Sequence, residues 1–216
     1  MLDTQLYDGG GVMQTVNIGI LNLVDVGFSY GGSHIVSSSK ITWQPHVGAN
    51  IRIRIVEESF TTPAFSLGFD SQGDGPYYKG EEKNRFRIKS RGAYIAVSRN
   101  YLLLGDLGLH GGINYSLEND DGDFDPSFWV GMNKTLGKNL ELCGEYDFAT
   151  NDNLQKSTTL EDGYLNAAVK WNFGNAFTLE FDLKNILRTE KEFLTAPDGE
   201  SPEPSRELRF FYRGSF

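Results

Sequence analysis

The last twelve residues, 205–216, read SRELRFFYRGSF. Leu208, Phe210, Tyr212, Gly214 and Phe216 fall on one side of this stretch, and Glu207, Arg209, Phe211, Arg213 and Ser215 on the other. Alternation over this length predicts an extended strand, because successive side chains of a strand point to opposite faces. In a soluble sandwich the apolar side would cover a core and the charged side would face water. Here the sequence closes on its last apolar residue with no polar tail. That arrangement suits a membrane–water interface, where aromatic residues collect.

The same two-residue period recurs along the chain. Segments 2–7, 12–21, 24–30, 49–56, 63–69, 85–98, 103–115, 126–136, 140–148, 163–173, 177–187 and 205–216 each divide into two faces. The plainest is 49–56, with Ile51, Ile53 and Ile55 against Arg52 and Arg54. Two arginines inside a strand need water or carboxylate partners, so that face is wet. Segment 85–98 has an ambiguous parity, since Arg87, Lys89 and Arg91 share a side with Ala93, Ile95 and Val97. We expect part of it to rise above the membrane.

The links between segments alternate too. Those after the third, fifth, seventh, ninth and eleventh are long and polar, and those after the second, fourth, sixth, eighth and tenth are short. Only the glycine-rich first link, 8–11, is shorter than this rule asks. An up-and-down barrel in an outer membrane has long outer loops, short periplasmic turns and an even strand count, whereas a soluble sandwich has no reason to sort loops by parity. Trp171, Phe173, Phe177, Tyr101 and Phe216 fall at the short-turn ends, and Tyr30, Phe69, Tyr115, Phe148 and Phe128 at the long-loop ends. Two such girdles are what two interfaces select. The expected fold is therefore all-β: one domain over 1–216, a transmembrane antiparallel barrel of about twelve strands. Helix finds room only as a turn within 33–42.

Composition excludes several alternatives. No run of about 18 apolar residues exists, so a helical membrane span is excluded. A barrel can be this polar overall, because only every second strand residue meets lipid. The formal net charge of −9 argues against a nucleic-acid partner. The single Cys143 cannot form an internal disulfide. Met1-Leu2-Asp3 opens directly on mature-looking sequence, so any leader is expected to have been removed.

The terminal stretch resembles that of bacterial outer-membrane barrels, whose last strand commonly ends in an aromatic residue and serves as the assembly signal. The resemblance implies Leu208, Phe210, Tyr212, Gly214 and Phe216 as signal positions, with Gly214 a departure where a larger residue is usual. The stretches LGFDSQGDGPY, KSRGAYIAVSRNY, LGLHGGINYSLE, GYLNAAVKW and LEFDLKNILR, spread over most of the chain, look like a family of uncharacterised bacterial outer-membrane barrels. That resemblance implies the fold and the outer-membrane address, and supplies no catalytic residue. The partners it implies are the lipid bilayer, lipopolysaccharide and the barrel-assembly machinery.

Function would be carried on the inward faces. These offer Arg52, Arg54, His110, Glu141, Glu145, Asp147, Glu180, Asp182, Arg209 and Arg213 as lumen-lining residues. Cross-lumen ion pairs could plug the barrel, or charged walls could line an open pore. Glu180 or Asp182 with Arg209 is expected as a plain cross-strand pair. His110 is the only histidine on a predicted strand, and no Ser–His pairing of the kind a barrel lipase needs is visible, so no enzyme is expected. The run 119–125, NDDGDFD, lacks the downstream glutamate and flanking helices of an EF-hand and reads as a solvated acidic loop. Neither cofactor nor metal is called for. Two readings stay open: a porin-like channel for small polar or charged solutes, and a closed structural or partner-binding barrel of an envelope or polysaccharide-export system.

Overall fold

A computed structural model describes residues 1–78, 84–153, 163–189 and 204–214. Its strands are β1 (Leu2–Tyr7), β2 (Gly11–Ile20), β3 (Val24–Ser33), β4 (Thr42–Trp43), β5 (Gly48–Val56), β6 (Ala64–Asp70), β7 (Asp74–Tyr78), β8 (Arg85–Ile88), β9 (Gly92–Leu102), β10 (Asp106–Ser116), β11 (Ser127–Leu136), β12 (Leu140–Asp147), β13 (Tyr164–Phe173), β14 (Phe177–Lys184) and β15 (Ser205–Tyr212). One antiparallel sheet holds 13 of them; setting aside the two-residue β4, which only extends the edge of β3, twelve remain. Each pairs with its neighbour, and the ring closes where β1 meets β15 and β2 meets β3. The chain is a closed, twelve-stranded, up-and-down barrel.

Strand formation follows the alternation in the sequence, and the ring gives the two faces their meaning. Ile18, Phe28, Ile53, Leu67, Ile95, Leu109, Val130, Val169 and Phe181 project outward and are exposed on the isolated chain. Nothing is gained by showing that much aliphatic surface to water; against lipid tails it is matched. Aromatic residues flank this belt, with Trp171 and Phe173 stacked at 4.8 Å and Phe177 against Tyr212 at 5.0 Å toward the short-turn end.

Several expectations are corrected. Segment 85–98 is not one strand. Arg85–Ile88 pairs with Asp74–Tyr78 in a separate two-stranded sheet, and β9 begins only at Gly92. The break at Lys89–Arg91 lets the three basic residues leave the outward row that Ala93 starts, which explains the ambiguous parity. No helix forms within 33–42; the one helical turn among the described residues is a 3-10 turn at Asp8–Gly10, in the short first link. In the terminal segment Leu208, Phe210 and Tyr212 share a face, but β15 ends at Tyr212 and Gly214 lies beyond it. Ser215 and Phe216 fall outside the described residues.

Inside the barrel, glycines receive rings from the next strand. Gly112 pairs with Trp129 and Gly68 with Tyr94. A Cβ at Gly112 would lie 2.4 Å from the Ile95 carbonyl oxygen and 2.7 Å from the Trp129 indole. At outward-facing Gly144 the nearest atom, Met132 Cγ, is 3.8 Å away. Overpacking a close-packed contact costs about 1–3 kcal/mol. Gly112→Ala should therefore lower the temperature at which the folded band is lost on unheated gels, while Gly144→Ala leaves it unchanged. Equal behaviour of the two variants would contradict the inward packing of β10 against β11.

Candidate functional site

Among the described residues, the inward faces line two adjoining cavities. One, of about 620 Å³, runs along the wall of β9 to β14 and is lined by His110, Trp129, Glu141, Glu145, Glu180 and Asp182, among others. The second, of about 850 Å³, extends from Met1 and Arg213 at the short-turn end to Gln72–Gly75 near the long loops. Arg52, Tyr94, Lys184 and Arg209 line both cavities.

Wall charges pair mainly with neighbours rather than across the lumen. Arg52 donates to Asp25 on the adjoining β3 at 2.5 Å. Arg209 stands opposite Glu180 in the ladder, yet its guanidinium bonds Asp3 of β1 at 2.6 Å. The expected pair of Arg209 with Glu180 or Asp182 is thus corrected, and Glu180 instead faces Lys170 Nζ at 3.5 Å. Asp182 stands opposite another carboxylate, Glu207. Glu141 and Glu145 are engaged by no ion pair among the described residues; their contacts are the Cys143 thiol and the Asn166 amide. Arg213 lines the second cavity only. Arg54 pairs with Glu57 at 3.5 Å, and Asp147 accepts from Ser127 Oγ and the Ala149 N–H; neither lines these two cavities.

His110 is gripped on both sides, by Ser98 Oγ at 2.9 Å and Asn133 Oδ1 at 2.6 Å. The Ser–His contact arises across the β9–β10 ladder, so no spacing in the chain announces it. It faces the lumen rather than the lipid edge a barrel lipase would use. The surrounding strands spend their backbone N–H groups on the ladder. The histidine is a hydrogen-bonded wall residue.

Over the long-loop mouth lies the β7–β8 hairpin, which the strand pattern did not anticipate. Phe86 packs edge-on against Tyr77 at 5.0 Å within it. Arg85 makes a two-pronged bond to Asp152, at 2.7 and 2.8 Å, with both side chains buried. Lys89 Nζ, equally buried, reaches Asp121 at 2.7 Å and the Asn151 carbonyl at 2.8 Å. Glu118 accepts from the Phe86 and Arg91 N–H groups at 2.7 and 3.2 Å. The 119–125 loop is therefore not simply solvated: Asp121 and Asp123 are drawn in, and Asp121 is a receptor for the hairpin's cations. On the wall side Lys184 Nζ holds Asp74 at 2.5 Å and Glu207 at 3.5 Å. Among the described residues no group of three or more His, Cys, Asp or Glu side chains is gathered as a metal would need.

Lys184, Asp74, Asp3, Asp25, Lys170 and Glu207 were missed as site residues. Parity alone could have found those on barrel strands; Asp74 could not be found, because the sequence around it reads as a loop, although the structure places it at the start of β7. Burial pushes the Glu118 carboxyl up, against the pull of its two N–H donors. Burial also acts to raise Asp74, but Lys184 beside it outweighs this and holds its carboxyl below the usual range.

No protein-family model and no curated protein matches the chain. Among solved structures it is similar to the KdgM porin, at 12% identity and a TM-score of 0.60, covering 99% of this chain and 98% of that one. It is also similar to the NanC porin, at 10% identity and a TM-score of 0.52 over the whole of both chains. At these identities the likeness is one of fold.

Replacing Asp74 by Asn should loosen the hairpin by about 1.5–3 kcal/mol, the range for hydrogen bonds to charged groups. Amide exchange at Tyr77 and Phe86 reads this directly. A carboxyl with a depressed folded pKa contributes stability that is fully present above its unfolded pKa of ~3.9 and lost as pH falls through the lower folded value. The difference between wild type and Asp74→Asn should thus persist down to about pH 5 and close only below about pH 4. A difference that vanished near neutrality would remove Lys184 as the anchor.

Proposed function

We propose that the protein is a porin-like channel of a bacterial outer membrane, passing small polar solutes through a lumen whose wall favours cations. The observation that carries this is the pair of polar-lined cavities, about 620 and 850 Å³, which meet at Arg52, Tyr94, Lys184 and Arg209. A packed plug would leave no such space, since small barrels fill their interiors with side chains. The full-length likeness in fold to two proteins described as porins supports it. The bilayer, lipopolysaccharide and the assembly machinery belong to the same proposal as the protein's surroundings. The long loops then face outward and the short turns the periplasm.

The sign of the preference follows from the pairing in the first cavity. Arg52, Arg209, Lys170 and Lys184 each have a carboxylate beside them, within 2.5–3.5 Å. Glu141 and Glu145, on the wall of the first cavity, have no cation within ion-pair distance among the described residues. An unpaired wall charge sets the field a passing ion meets, whereas a neutralised one contributes little. The solutes best suited are small cations and neutral polar molecules. Against this stands the hairpin over the mouth, whose buried pairs favour the closed, partner-binding barrel.

Planar-bilayer recording separates the two. Stepwise conductance with a cation-selective reversal potential is expected. Glu141→Gln with Glu145→Gln should move that potential toward zero, and Arg52→Ser, by freeing Asp25, should move it the other way. A folded barrel that stays electrically silent would refute the channel and leave the closed barrel.

A further inference from the structure

The short turns are not alike around the rim. Three of them, at residues 21–23, 57–63 and 103–105, stand next to one another, because β3 pairs with β5 and β6 with β9. Their tips are apolar and bare: Leu21 is 90% exposed, Phe60 96% and Leu104 98%. The other two turns read Gly137-Lys138-Asn139 and Gly174-Asn175-Ala176. On that side the apolar surface stops at the Trp171, Phe173, Phe177 and Tyr212 rings. On the first side it continues from Ile18, Ile20, Ile53 and Ile55 straight into the turns.

Turn geometry does not ask for these residues. Leu21 and Leu104 have φ of 53° and 50°, in the left-handed region where Gly or Asn is cheaper. A turn in water would carry such residues. The turn carbonyls, moreover, are bonded by side chains from the lipid-facing rows. Lys134, in the outward row of Val130 and Met132, reaches down to the Leu103 and Leu104 carbonyls. Arg99, in the outward row of Ile95 and Val97, donates to the Phe60 carbonyl at 2.7 Å and to that of Thr61 at 3.5 Å. Water satisfies an exposed carbonyl unaided, so side-chain donors matter where water is sparse. Long basic side chains also place their charge at headgroup level while their stems lie against apolar surface.

We propose that this half of the rim is a lipid-binding surface, with the three turns seated in the inner leaflet and Arg99 and Lys134 at the level of its phosphates. The barrel accordingly sits deeper on the β2–β10 side than on the β11–β15 side. Continuity with the lipid-facing rows, and basic residues suited to an anionic headgroup, select phospholipid as the occupant over a second copy of the chain or a soluble partner. The inference rests on the membrane-barrel reading but not on whether the lumen conducts.

Spin labels test it in a Cys143→Ser background, in vesicles of phosphatidylethanolamine and phosphatidylglycerol. Labels go on Phe60→Cys and Leu104→Cys, with Lys138→Cys and Asn175→Cys for comparison and Ile53→Cys as a belt control. Power saturation with oxygen and a nickel chelate gives a depth parameter, positive in lipid and negative in water. It should be positive at 60, 104 and 53 and negative at 138 and 175. Negative values at 60 and 104 with a positive value at 53 overturn the proposal and leave the barrel intact. A negative value at 53 as well would instead remove the membrane barrel. Shielding of 60 and 104 from both reagents, with broadening between labels, would assign the surface to a second copy and overturn the lipid.

Discussion

The pairing of the first strand with the last is the contact on which the rest depends. Leu2 to Leu6 lie against Tyr212 to Leu208, joining residues about two hundred positions apart in sequence. Without that ladder β1 and β15 would both be edges, each with a row of N–H and C=O groups facing hydrocarbon. An unmatched group there costs several kcal/mol, so an open sheet of this sequence has no stable place in a bilayer. Closure divides the alternation into inside and outside. Away from the turns the outward rows must then be apolar, and the charged strand residues are confined to the inward faces.

That confinement accounts for how the lumen charges are arranged. Opposite walls are separated by the cavities, whereas adjoining strands bring side chains within bonding distance. Arg52 with Asp25 and Arg209 with Asp3 are both pairs of this local kind. The same reasoning explains the hairpin. A closed ring has no internal edge to offer it, so β7 and β8 pair with each other and are fixed to the outer loops by Arg85 and Lys89. Burying ion pairs brings little net stability, because desolvation offsets the attraction, but losing one partner of such a pair is costly. The pairs therefore act chiefly to fix where the hairpin sits.

The barrel was legible in the sequence because its signal is repeated: a two-residue period along the barrel strands and a parity rule on every link but the first. Individual partners were not, for a definite reason. Arg209 lies within reach of carboxylates on both neighbouring strands, and its choice of Asp3 over Glu180 follows from closure with β1, which no local pattern announces. Lys184 was passed over because its first partner, Asp74, lies in what reads as a loop. Run 119–125 looked solvated since its cations, Arg85 and Lys89, had been placed on a barrel strand. The leucines and the phenylalanine at the turn tips were visible throughout, but their bareness acquires meaning only when the three turns are seen to be neighbours.

Lys184 links the mouth to the wall. It lines both cavities, holds Asp74 of the hairpin and faces Glu207 of β15. If the hairpin swings away, the Asp74 carboxylate leaves with it, while Lys184 stays on β14. The wall then loses a negative charge close to the point where the two cavities meet. In the channel proposed above, a wider mouth and a weaker preference for cations would then be consequences of one displacement. Width and selectivity of such a channel would not be independent properties, because the same ammonium group would serve as the anchor for one and as a term in the field of the other.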